Sequence, residues 1–131
     1  MEPRERFGRL FVEQVRDPAI VAVDDLVRRE GERPDSAPWR DLLSTPGARA
    51  ALAHLLPDVV DEVLFLILDL IDNDAIDVRI LGEDGSVSGA EVGSGELGGW
   101  FMGSPGWRNE YSRKRFNDYL EGIELRRDWE A

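Results

Sequence analysis

Between Asp58 and Asp72 the chain places ten large apolar side chains in fifteen positions: Val59, Val60, Val63, Leu64, Phe65, Leu66, Ile67, Leu68, Leu70 and Ile71. A helix this apolar around its circumference is expected to be buried on most sides. The other elements must therefore wrap it, and it is expected to be the central core helix. It does not read as a membrane span. Its most apolar run, Val63 to Leu68, is flanked by Asp61, Glu62 and Asp69, and a span needs about 20 apolar residues. Ser44-Thr45-Pro46 gives the start signal for this helical stretch. Pro57 lies inside it, where a missing N–H and a steric clash predict a kink or a break into two helices.

The segments on either side supply the wrapping. Residues 3–16 read as an amphipathic helix with Pro3 in its first turn and Phe7, Leu10, Phe11 and Val15 on one face. Asp17-Pro18 reads as a fresh N-cap and N1 pair, opening a second helix with Ile20, Val23, Leu26 and Val27 that ends near Gly31. Glu32 to Asp35 is a polar loop. A short helix over 37–43, with Ser36 as cap, would bury Trp39, Leu42 and Leu43.

After Asp72 the period changes. Ile76, Val78 and Ile80 alternate with Asp77 and Arg79, Asp84-Gly85 marks a hairpin turn, and Val87, Ala90 and Val92 form the returning strand. Nine glycines lie between Gly82 and Gly106, so this stretch is rich in loops, which Trp100, Phe101 and Trp107 pin to the body. A weak C-terminal helix follows within 107–131, centred on Ser112–Leu120, with Phe116, Tyr119 and Leu120 as its apolar face. The expectation is one α+β domain over residues 1–131. An N-terminal helical bundle of four to five helices (3–72) packs with a small antiparallel β-hairpin or sheet, and residues 75–106 form the hairpin and Gly-rich region. A domain of this size hides roughly two thirds of its unfolded surface, enough for a core without disulfides.

Charge is unevenly placed. The chain carries −11 overall. Residues 44–106 hold two arginines and eleven acids, a net of −9, while 1–43 carry −2 and 107–131 are neutral. Such a field opposes nucleic acid and anionic membranes and favours a basic partner. Cysteine is absent, which excludes disulfides, thiolate zinc sites and cysteine nucleophiles. The N-terminus is charged and lacks the apolar stretch of a signal peptide. A cytoplasmic protein is expected.

Chemical motifs are few. Gly93-Ser94-Gly95-Glu96-Leu97-Gly98 matches a dinucleotide-binding string, yet further glycines and Pro105 follow at once, so no helix is expected to start there and the glycines read as a connection at positive φ. Asp58, Glu62, Asp69 and Asp72 share a helix face with Asp61 close by, and His54 lies one turn before Asp58. Carboxylates so arranged can hold Mg²⁺ or Mn²⁺ for phosphate chemistry, with His54, Asp58, Glu62 and Asp69 as the candidate ligands. The plainer reading is the wet face of a buried helix. No serine elbow or catalytic pair stands out, and no cofactor is implied. Arg108, Arg113, Lys114 and Arg115, interleaved with Trp107 and Tyr111, have the composition of a nucleic-acid patch, but the acidic middle makes internal pairing the stronger expectation.

The stretch Gly95-Glu96-Leu97, Gly99-Trp100-Phe101, Trp107-Arg108 and Tyr111-Ser112, following an acidic apolar helix and a hairpin, resembles small bacterial proteins of unknown function. That resemblance implies a small α+β domain and no activity. Size and charge are also similar to those of acidic immunity proteins. The leading expectation is a non-enzymatic, immunity-like interaction domain. Asp58, Asp61, Glu62, Asp69, Asp72, Glu96, Trp100 and Trp107 would meet a basic partner. The alternative is a metal-dependent phosphohydrolase using the Asp58–Asp72 face. The apolar excess on that helix also raises a homodimer.

Overall fold

A computed structural model describes residues 1–32, 37–93, 95–118 and 123–125. It is an α+β structure of helices and two small antiparallel sheets. Helix α1 (Pro3–Phe11) passes through a π-helical turn (Val12–Arg16) into α2 (Asp17–Glu32). Helices α3 (Ala37–Ser44) and α4 (Ala48–Asp72) follow. Strands β1 (Arg79–Gly82) and β2 (Gly85–Ser88) make a hairpin. Three short helices, α5 (Gly89–Val92), α6 (Leu97–Met102) and α7 (Trp107–Tyr111), lead to β3 (Phe116–Asp118), which pairs with β4 (Ile123–Leu125).

Several boundaries differ from the sequence expectation. Asp17 is not an N-cap: it has helical φ −63° and ψ −42°, and its N–H bonds the Val12 carbonyl five residues back. A proline inside a helix clashes with the preceding turn, and the wider π turn ahead of Pro18 gives its ring room. Asp17 instead turns its carboxylate to the C-terminal segment, accepting from the Ser112 hydroxyl (2.7 Å) and the Arg113 N–H (2.8 Å).

Ser44 and Thr45 do not open α4. Both hydroxyls donate to the Asp41 carbonyl and so close α3, while Gly47, at φ 83°, caps α4. Trp39 and Leu42 stay half exposed, and only Leu43 of that trio is buried. The loop at 33–35 and the cap at Ser36 lie outside the described residues.

Helix α4 runs unbroken through Pro57. Proline cannot donate to the carbonyl four residues back, which here is Ala53. The Arg115 guanidinium donates to that carbonyl at 2.7 Å, and the Asn117 amide donates to the His54 carbonyl at 2.9 Å. Arg115 thus supplies the donor that proline lacks, and Asn117 adds a second side-chain bond at the next carbonyl.

The hairpin is shorter than the alternation implies. Ile80 and Val87 pair across it and are both buried. Ser88 then caps α5 by accepting from the Glu91 N–H, which places Ala90 and Val92 in a helical turn. The described part of the expected helix over 112–120 is not helical: α7 ends before it, and Phe116 is buried in strand β3. Tyr119 and Leu120 lie outside the described residues.

The core joins Phe7, Leu10, Phe11, Val12 and Ile20 to Val60, Leu64, Leu68 and Ile71 of α4, closed by Ile80, Val87, Leu97, Phe101 and Trp107. Phe11 meets Phe101 edge to face at 5.6 Å, a favoured aromatic geometry. The Trp107 ring packs against α1 where Gly8 leaves space. Among the described residues no helix is long and apolar enough to cross a membrane.

Candidate functional site: the two faces of helix α4

One side of α4 buries charge. Asp61 is 1% exposed. Its carboxylate accepts from Arg16 Nε (2.8 Å) and Nη2 (3.2 Å), and from Arg108 Nη1 (2.8 Å). Arg16 is 0% exposed and also donates to the Ser112 hydroxyl and the Arg115 carbonyl. Arg108, 3% exposed, donates to the Met102 carbonyl and lies 4.9 Å from the centre of the Phe116 ring. Arg115 forms a two-pronged pair with Asp24, both contacts 2.7 Å. Buried charges persist only when paired and hydrogen-bonded, and here each arginine reaches a carboxylate.

Two of the four basic side chains of the C-terminal cluster are therefore committed inside the molecule: Arg108 to the acidic middle and Arg115 to α2. Asp61 and Trp107, both read from sequence as partner-facing, are 1% exposed and offer a partner no surface.

The other acidic candidates on α4 share a face but do not converge on one site. Asp58 accepts from the Asn117 amide at 3.1 Å. Asp72 accepts from the Leu97 N–H through both oxygens (2.9 and 3.1 Å). That contact also corrects the reading of the glycine string. A helix, α6, does begin inside it, and the chain's own Asp72 carboxylate occupies the helix end where a phosphate would sit. Gly93 and Gly95 have φ of 63° and 67°, as expected for a connection. Ser94 lies outside the described residues. Glu62, Asp69 and Glu96 are exposed. Trp100 is half buried, with the Arg4 guanidinium 4.0 Å from its ring centre. The His54 backbone is held by Asn117. Among the described residues, no group of three or more His, Asp or Glu side chains converges as a metal site.

The opposite side of α4 exposes what was expected to be core. Leu55, Val59, Val63, Leu66 and Leu70 are each about half exposed. Spaced by four, four, three and four residues, they share an arc of about 80° on an ideal helix. Glu62 and Asp69 border that arc, and Arg49 is the only arginine or lysine on the helix. The sequence hides this division because Leu64 and Leu66 have the same hydropathy. Only the position of Asp61 marks the buried side, once its arginine partners are known.

No family model, no curated protein and no solved structure matches the chain significantly.

Proposed function

We propose that this protein is a non-catalytic, immunity-like interaction domain whose α4 surface receives a basic partner. The observation that carries the reading is the row Leu55, Val59, Val63, Leu66 and Leu70, left in solvent and edged by Glu62 and Asp69. Contiguous apolar patches with a polar rim mark sites of association. Depletion of charge at the centre with charge at the edge is the usual anatomy of an interface. The acidic rim steers a basic partner and rejects an acidic one. In this reading the helices of residues 3–72 act as a bundle that presents α4, and the setting is cytoplasmic, consistent with a chain free of cysteine.

The test uses a labelled amphipathic helical peptide of lysine and leucine, with binding followed by fluorescence anisotropy at low and high salt. The wild type binds, and binding weakens as salt rises. Leu66→Lys abolishes it. Leu81→Lys makes the same charge change at an exposed leucine on the hairpin and leaves most of the binding intact. Equal losses from the two variants would overturn the proposal, because they would report net charge alone.

A further inference from the structure

Where α2, α3 and α4 meet, Leu26, Val27, Trp39, Leu43, Leu52 and Leu56 line an apolar cleft of about 210 Å³. We infer that this cleft is an anchor pocket for one large apolar side chain of an amphipathic basic helix belonging to the partner proposed above. The inference rests on that reading of α4 and adds to it a recognition mode and a specificity determinant.

Three observations carry it. The first is chemistry: among the described residues every lining side chain is aliphatic or aromatic. A polar group entering the cleft would lose its water and find no side-chain partner there. The second is size. Sites for small molecules generally span about 300–1,000 Å³, whereas this cleft fits a single leucine, phenylalanine or tryptophan side chain. The third is continuity. Leu52 and Leu56 of the cleft are followed on the same helix by Val59, Val63, Leu66 and Leu70. The spacing alternates four and three from end to end, the heptad seam against which a second helix packs. It extends about 27 Å at the α-helical rise. An amphipathic helix lying in such a groove uses apolar residues at i, i+3 or i+4, and i+7, and a few anchors buried in pockets supply most of the binding energy.

Charge selects the occupant. A second copy would bring its own Glu62 and Asp69 and a net charge of −11 to the same seam. A segment whose leucines are flanked by lysine or arginine meets these carboxylates favourably.

The experiment compares two lysine–leucine helical peptides of heptad pattern. They differ at one position near the end that reaches the cleft, Phe in one and Ala in the other. Wild-type protein binds the Phe peptide at least tenfold more tightly. Val27→Phe, which fills the cleft from α2, removes that preference and leaves the Ala peptide's affinity unchanged. Trp39→Ala, which takes away a half-exposed wall, also removes the preference. Thermal melting establishes that each variant is folded.

If Val27→Phe and Trp39→Ala both leave the tenfold preference intact while Leu66→Lys abolishes binding, the anchor pocket is wrong and the α4 surface stands. If the wild type binds neither peptide, the α4 reading itself falls. A wild-type dimer in sedimentation velocity that dissociates on Val27→Phe would assign the cleft to a second copy and overturn the inference.

Discussion

Each side of α4 departs from the ordinary distribution of polarity: the buried side holds a charge among Val60, Leu64, Leu68 and Ile71, and the exposed side is apolar. The side turned inward carries Asp61 between Arg16 and Arg108, and the side turned outward carries Leu55, Val59, Val63, Leu66 and Leu70. Both are parts of one nearly continuous apolar sequence. The difference shows that hydropathy does not choose the buried side of such a helix. That choice follows from what the neighbours bring: an arginine from the π turn, another from α7, and side-chain donors that answer the proline-interrupted backbone.

The largest test of this contrast is Asp61→Ala. It leaves two buried guanidinium groups facing each other without their shared carboxylate. Removal of one partner from a buried ion pair costs about 3–5 kcal/mol, to be read from urea unfolding. A loss below about 0.5 kcal/mol, the surface range, would put Asp61 in solvent and erase the contrast. Replacing Arg16, Asp61 and Arg108 together by Met, Leu and Met should cost less than Asp61→Ala alone, since no charge is then stranded. Next in size is Leu64→Ala, on the inward side and 6% exposed. Truncating a buried leucine costs about 2–5 kcal/mol. Gly8→Ala follows. Its Cβ would fall 2.3 Å from the Trp107 ring, and overpacking of this kind costs about 1–3 kcal/mol. A neutral result in chemical denaturation would mean that α7 moves away from α1 without penalty.

Much of the architecture is written in local pattern. The amphipathic face of Phe7, Leu10 and Phe11, the long apolar helix, and the Ile80–Val87 hairpin all follow from spacing. What spacing misses is set by contacts distant in sequence. Asp17-Pro18 has the composition of a helix start, yet the chain crosses it through a π turn, because Arg16 and Asp17 are held by Asp61, Ser112 and Arg113. Pro57 has the composition of a break, yet Arg115 and Asn117 reach the Ala53 and His54 carbonyls. The candidate site divides in the same way. Concentrated acidity was legible, but which carboxylates face outward was not. Asp61 and Glu62 are neighbours in sequence, and 100° of helical rotation separates a buried ion pair from an exposed rim.

A smaller effect comes from the α1–α7 contact. Burial, followed by the hydrogen bond to Glu5 and the Glu5 charge, raises the Tyr111 pKa well above its ordinary 10.0. The unfolded phenol ionises near pH ~10 while the folded one keeps its proton, so this contribution is complete below that pH and is lost as pH rises from there toward the folded value. Tyr111→Phe should flatten the alkaline decline in melting temperature between about pH 9 and 11. Parallel declines in the two proteins would place the hydroxyl in water.

The smallest expected change is at Leu66→Ala, two residues from Leu64 and 54% exposed. Substitutions at such positions shift stability by no more than about 0.5 kcal/mol, so the same chemical truncation should separate the two sides of α4 by a factor of several. Protein concentration then sharpens the contrast. If the outward face is free, the Leu66→Ala effect is the same in dilute and concentrated samples. If a second copy covers it, the wild type gains stability with concentration by mass action, and the cost of Leu66→Ala grows toward that of Leu64→Ala. Melting both variants over a hundredfold range of concentration therefore distinguishes a face kept for a different partner from one that is already occupied.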